Sequence, residues 1–478
     1  VSKNLTISGK AKYVAGGFAA LALLGAACSS NNNNNSNANK NANTAATQAA
    51  TTAATSAATA TSSMSGMNMG SATAAAKTAT PAAAGTPAAE VTTTSPAADL
   101  RVTLDRLLAE HADLAIVAMQ KGYDGAPDFQ AAANQLDQNS QALAKAIASV
   151  YGDAAGQKFL DLWRAHIGMF VNYTQAVAKN DDAGKQKALS DLANYGKDFA
   201  AFINGANPNI PSDAVVQLLQ QHVQELTGAL DAYAKKDYAT VYKDFDESHN
   251  HMFMTGDALA AGIIKQQGGK IAGNAMSNAV NLRVTLDNLL SEHATLAIIA
   301  MQKGVAGAPD FQAAANQLDQ NSQALAKAIA SIYGDAAGQK FLDLWRAHIG
   351  MFVNYTQGVA KNDAAMKQKA LDDLANYRKD FAAFINGADP KIPADAVANL
   401  LQAHVQQLVD ALNTYVAKDY ATTYKNFDDS FAHMFMTGDA LAGGLVAQNP
   451  SKFATTIVPG TARYAYTVTF SNLPAPLA

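Results

Sequence analysis

The chain states one domain twice. Leu100 to Gln266 recurs as Leu282 to Gln448 at a fixed offset of 182 (His293 minus His111), without insertion or deletion. Gly125–Ser149 is identical to Gly307–Ser331, and Tyr151–Gln175 is identical to Tyr333–Gln357. A strict internal repeat fixes the unit to be explained. Here it is a domain of roughly 165 residues, long enough to bury a core of its own. All nine histidines of the chain lie inside the two copies. Four places are shared: His111, His166, His222 and His251, then His293, His348, His404 and His433.

Six helices are expected in the first copy, near Asp99–Lys121, Pro127–Tyr151, Asp153–Lys179, Ala183–Asn204, Ser212–Lys235 and Tyr238–Gln266. Ala, Leu, Gln and Lys dominate these stretches, and Gly, Pro and Asn clusters such as Asn207-Pro208-Asn209 interrupt them. Asp128 and Ser212 or Asp213 are candidate N-caps. The expected fold is all-α: two tandem copies of a six-helix, bundle-like domain, 99–266 and 282–448, joined by a Gly/Asn-rich linker, 267–281.

The helical period puts most of the histidines on apolar stripes. His111 lies in line with Leu104, Leu107, Leu108, Leu114 and Ala118; His166 with Phe159, Leu162, Trp163, Phe170 and Tyr173; His222 with Val215, Leu218, Leu219 and Leu226. His251 is less clearly placed, beside Glu247, Met252 and Met254. A buried polar group without a partner costs roughly 1–3 kcal/mol, so four idle imidazoles would rival the net stability of a domain, about 5–15 kcal/mol. Either nearby groups such as Glu110, Asp161, Tyr173 and Asp257 satisfy each ring, or several rings share a ligand. One difference separates the copies at a histidine: His249 is replaced by Phe431.

The ends of the chain read as address and tether. Lys3, Lys10 and Lys12 precede the apolar run Tyr13–Gly25, which has signal-peptide proportions. Gly25-Ala26-Ala27-Cys28 resembles a lipobox, making residues 1–27 an expected lipoprotein signal peptide and Cys28 an expected lipidation site. Cys28 is the sole cysteine, so neither a disulfide nor a cysteine-based metal or haem attachment is available. Residues 28–98, rich in Asn, Ala, Thr and Ser, lack the large apolar side chains that could offset ordering entropy and are expected to form a disordered stalk. The tail, 449–478, carries a possible strand at Tyr464–Phe470. An extracytoplasmic, lipid-anchored location follows, with the membrane as partner. A net charge of −4 with interspersed signs argues against nucleic-acid binding.

Imidazole is the commonest transition-metal ligand, and helix bundles build metal sites from inward-facing side chains. All-nitrogen sites suit copper or zinc, copper leading on intrinsic affinity. Met252 and Met254 around His251, their counterparts Met434 and Met436, and Met64, Met67 and Met69 in the stalk add a bias towards copper. Haem is a further alternative, needing only two facing histidines. A di-iron site is disfavoured because the Glu-x-x-His pairs it uses are absent.

The segments LLAEHADLAIVAM, YGDAAGQKFLDLWRAHIGMFVNYT and HMFMTGDALA, with their second copies, resemble exported bacterial helical domains commonly labelled copper amine oxidase-like. The resemblance covers both repeats and is most distinctive at Trp163–His166. It implies an exported helical domain and no established activity. Amine oxidation itself is not expected: the Asn-Tyr-Asp/Glu quinone precursor of true copper amine oxidases has no match in Asn172-Tyr173-Thr174 or Asn194-Tyr195-Gly196. Phosphate loops, nucleophile elbows and a nucleophilic cysteine within the repeats are also missing. The leading expectation is a non-enzymatic envelope lipoprotein that binds copper through the eight shared histidines, for capture, buffering or delivery. The alternative is a surface spacer or adhesion module whose histidines are merely satisfied.

Overall fold

Pro96 starts the first helix, earlier than the expected Asp99, because Ser95 is a working cap: its hydroxyl accepts from the Ala98 backbone N–H, and proline occupies the first helical turn. Ala97 and Ala98 are already fully buried, so the folded part takes in the last residues assigned to the stalk. The computed structural model describes residues 91–454; the signal peptide, Cys28, nearly all of the stalk and the Tyr464–Phe470 segment lie outside them.

The described residues are all helical apart from turns. The first repeat comprises α1 (Pro96–Asp124), α2 (Phe129–Tyr151), α3 (Asp153–Lys179), α4 (Asp182–Ala206), α5 (Ser212–Lys235) and α6 (Tyr238–Gln267). The second comprises α7 (Asn278–Ala306), α8 (Phe311–Tyr333), α9 (Asp335–Ala360), α10 (Ala364–Ala388), α11 (Ala394–Val416) and α12 (Tyr420–Gln448). A short α13 (Pro450–Phe453) follows, so the tail opens with a helical turn. Six helices per repeat match the expectation closely. Gly125 ends α1 in the left-handed region (φ 62°), where its N–H closes onto the Gly122 and Lys121 carbonyls.

Two expected caps do other work. Asp128 makes no cap hydrogen bond; its carboxylate pairs with Lys121 at 2.7 Å and accepts the Tyr424 hydroxyl at 3.1 Å. Ser212 is already inside α5, whose cap position is Pro211.

In each repeat the first helix is central. α1 packs on α2, α3, α5 and α6, while α4 bridges α3 and α5 on the outside. Leu114 through Met119 are all buried, so this stretch has no solvent face, as expected of a helix surrounded by others. The two repeats pack against each other: the described residues belong to one compact unit. α2 packs on α12, α6 on α8, and one apolar core includes Leu114 and Phe245 together with Leu296 and Phe427.

The contact between repeats is self-complementary, like the isologous interface of a two-fold dimer. Tyr242 donates to Asp310 at 3.2 Å, as Tyr424 donates to Asp128. Arg101, ion-paired with Asp257, reaches Asn281 at 2.7 Å; Arg283, ion-paired with Asp439, reaches Asp99 at 2.7 Å. Phe253 stacks on its own counterpart Phe435, with ring centres 5.9 Å apart and planes 6° from parallel.

Candidate metal centre

Three of the four shared histidines meet. His111 from α1, His166 from α3 and His222 from α5 each bring one ring nitrogen to within 4.8 Å of the others. Their rings lie 5.3 Å (His111–His166), 5.8 Å (His111–His222) and 6.4 Å (His166–His222) apart. The second repeat reproduces the group with His293, His348 and His404, at 5.4, 5.8 and 6.4 Å. Metal–nitrogen bonds of about 2.0–2.1 Å hold ligand nitrogens roughly 3.3–3.5 Å apart, so modest side-chain adjustment closes either triad on one ion.

All six rings are buried, each at 2 % exposure or less. Burial, reinforced by the neighbouring imidazoles, holds His111, His222, His293 and His404 well below the usual histidine range. Burial takes His166 and His348 down to about 3, against a smaller opposing effect of the Trp163 and Trp345 carbonyls. The six imidazoles are therefore neutral at pH 7, the form that coordinates a metal.

His251 and His433 do not join the triads. Each commits Nε2 to a backbone carbonyl 2.9 Å away, Leu218 and Leu400 respectively. Burial lowers both, offset in part by that hydrogen bond. The sixth helix thus turns its histidine onto a backbone carbonyl of the fifth. Glu110 and Asp257, considered as histidine partners, are occupied elsewhere: Glu110 accepts from Asn139 at 2.9 Å and Asp257 binds Arg101.

Two aromatic neighbours escape the sequence reading as partners of the triad. The Trp163 indole N–H donates to His111 Nδ1 at 3.3 Å, and Trp345 does the same to His293. A neutral ring that accepts at Nδ1 carries its proton on Nε2, so His111 presents an N–H towards His166 Nε2, 3.3 Å away. Coordination through His111 Nε2 requires the other tautomer and breaks the indole bond. Tyr195 stacks on His166 with ring centres 5.3 Å apart, as Tyr377 does on His348.

His222 is different: neither Nδ1 nor Nε2 has a hydrogen-bond partner, and the same holds for His404. Two polar nitrogens on one buried ring, both unpaired, are the clearest unmet demand in the site.

Comparison with known proteins finds no matching family model, no matching curated protein and no matching solved structure. Among the described residues, no helix is long and apolar enough to cross a membrane.

A second buried cluster sits at the contact between repeats. His249 on α6 lies 3.1 Å from the Asp113 carboxylate, and its other nitrogen faces the Asn288 carbonyl and the Ser291 hydroxyl of α7. Burial opposes its charge, but Asp113, then Glu292 and the Asn288 carbonyl, raise it to about 9. His249 therefore keeps its proton at neutral pH and is unsuited to metal binding.

Proposed function

We propose that each repeat binds one transition-metal ion through its triad, His111–His166–His222 or His293–His348–His404, and that copper is the physiological metal. The observation that carries this reading is the doubly unpartnered ring of His222 and of His404, set within reach of two other neutral imidazoles. A shared cation gives a buried nitrogen a partner where the protein supplies none.

The charge of the surroundings narrows the choice. Neither triad contains a carboxylate, so the ion's charge enters a buried pocket uncompensated. The Born cost of burying an ion rises with the square of its charge, which favours Cu(I) over Zn(II) or Cu(II). Coordination by three imidazoles suits Cu(I), which accepts either three or four donors. Haem fits less well, because His111 and His166 are in direct hydrogen-bond contact and leave no room for a macrocycle between them.

With the lipobox at Cys28 and the stalk as tether, the role is capture, buffering or delivery of copper outside the cytoplasm. The competing reading, a tethered scaffold with satisfied histidines, has the indole–imidazole bonds in its favour and His222 against it. Anaerobic competition for Cu(I) against a chromophoric chelator tests the proposal. Transfer of two equivalents per chain, with zinc bound more weakly, supports it; no transfer at micromolar chelator leaves the scaffold reading.

A further inference from the structure

A cavity of about 610 Å³ opens between α7, α8 and α9 of the second repeat. Its walls run from the solvent-exposed Arg346 and Val353 to His293 and His348, which are 1 % and 2 % exposed. Phe311, Ile349 and Phe352 also line it. Every residue around it has an identical counterpart in the first repeat. The space is kept by small residues: a Cβ built on Gly350, at the cavity's edge, would meet nothing within 4 Å.

Two observations define what would enter. His293 and His348, at the inner end, are two of the three histidines of the second triad, so the cavity opens onto the place the triad gives an ion. The cations at the wall are already paired, Arg346 with Asp319 and Lys303 with Asp310, both at 2.6 Å. An anionic ligand would find no free countercharge there, whereas an apolar body would cover Phe311, Ile349 and Phe352.

We infer that this cavity is a ligand site leading to the metal: it takes a small, uncharged, apolar molecule whose neutral nitrogen donor occupies the coordination position the three histidines leave open. The inference rests on the metal reading above. Ligand and ion are then held together, the apolar body giving affinity and the donor atom giving orientation. Binding replaces no covalent bond; one donor is added to the ion.

The test compares imidazole with 4-phenylimidazole on the copper-loaded full chain, in a His222→Leu background that leaves the second triad as the loaded one. Copper content is measured first and independently. We expect one copper per chain and at least tenfold tighter binding of the phenyl compound, read by anaerobic isothermal titration calorimetry. Gly350→Phe, checked for folding by circular dichroism, is expected to remove that advantage while copper content stays at one. One copper with equal affinity for both probes overturns the ligand site and leaves the metal reading intact. No copper at all overturns the metal reading, and the ligand site with it.

Discussion

His249 and Asp113 form a buried pair in the first repeat, 3.1 Å apart and both fully shielded from solvent, and the second repeat replaces both members at once, with Phe431 and Thr295. A charged pair and an uncharged pair thus occupy equivalent places in one molecule. They also face each other, His249 and Phe431 having ring centres 6.1 Å apart. Breaking a buried pair by removing one partner costs about 3–5 kcal/mol, whereas replacing both is often neutral. Asp113→Thr and His249→Phe are each expected to destabilise strongly, and the double substitution much less than their sum. Urea denaturation of the four proteins measures this; additive losses would show that the pair is not a unit.

The same pair sets an alkaline limb. His249 holds its proton to about pH 9 in the fold, but to about 6.5 when unfolded. The folded value is the higher, so its contribution is complete below pH 6.5 and is lost as pH rises through 9. Wild-type stability should fall across that window, and the double variant should show a shallower slope. Identical slopes would contradict the assignment.

His222 is expected to trade stability for binding. Its two nitrogens are unpaired in the fold, a cost of about 1–3 kcal/mol. His222→Leu should leave the metal-free protein as stable as wild type or more so, while losing the stabilisation that copper gives the first triad. The acid limb should change too. The triad imidazoles are held neutral, His166 down to about 3, so the unfolded chain takes up protons first as pH falls below about 6.5 and stability drops. Removing one such ring flattens that drop. A variant several kcal/mol less stable without metal would mean that His222 has a partner in the fold.

Both tryptophans of the chain sit against a triad, with ring centres 4.8 Å from His111 and from His293. Indole fluorescence is therefore a direct reporter, and Cu(I) added anaerobically should change it with a break at two equivalents. Trp163→Phe removes the donor that holds His111 in the wrong tautomer for coordination through Nε2. A hydrogen bond of this kind is worth roughly 0.5–1.5 kcal/mol net, so copper affinity at the first triad should rise by up to about tenfold. Weaker binding would show that the indole supports the loaded state instead.

Gly256 marks a close approach of α6 to α1. A Cβ there would lie 2.1 Å from Asp105 Oδ1 and 2.8 Å from the Asp105 backbone nitrogen, and Gly438 repeats the contact with Asp287. Gly256→Ala must push two buried helices apart, at a cost of about 1–3 kcal/mol or more. Thermal denaturation checks it; an unchanged midpoint would contradict the packing described.

The six helices of each repeat and the meeting of three histidines were legible because apolar period and helix breaks carry them. Stripe-centred residues on α1, α3 and α5 converge because those three helices pack against one another. What lay beyond a single copy was not legible. Asp128 reads as a surface cap, yet it lies at the contact between repeats, because the partner face comes from a distant part of the chain. His251 shares the burial of the triad but not its direction, and a carbonyl one helix away decides that. The Asp113–His249 pair left a usable trace, the joint change to Thr295 and Phe431, which only comparison of both positions together exposes.

Copper content after equilibrium dialysis of the full chain under reducing conditions tests the central claim most directly. Two ions per chain are expected for wild type, one for His222→Leu or His404→Leu, and none for the double variant. Wild type without copper, or a double variant that keeps two ions, would contradict it.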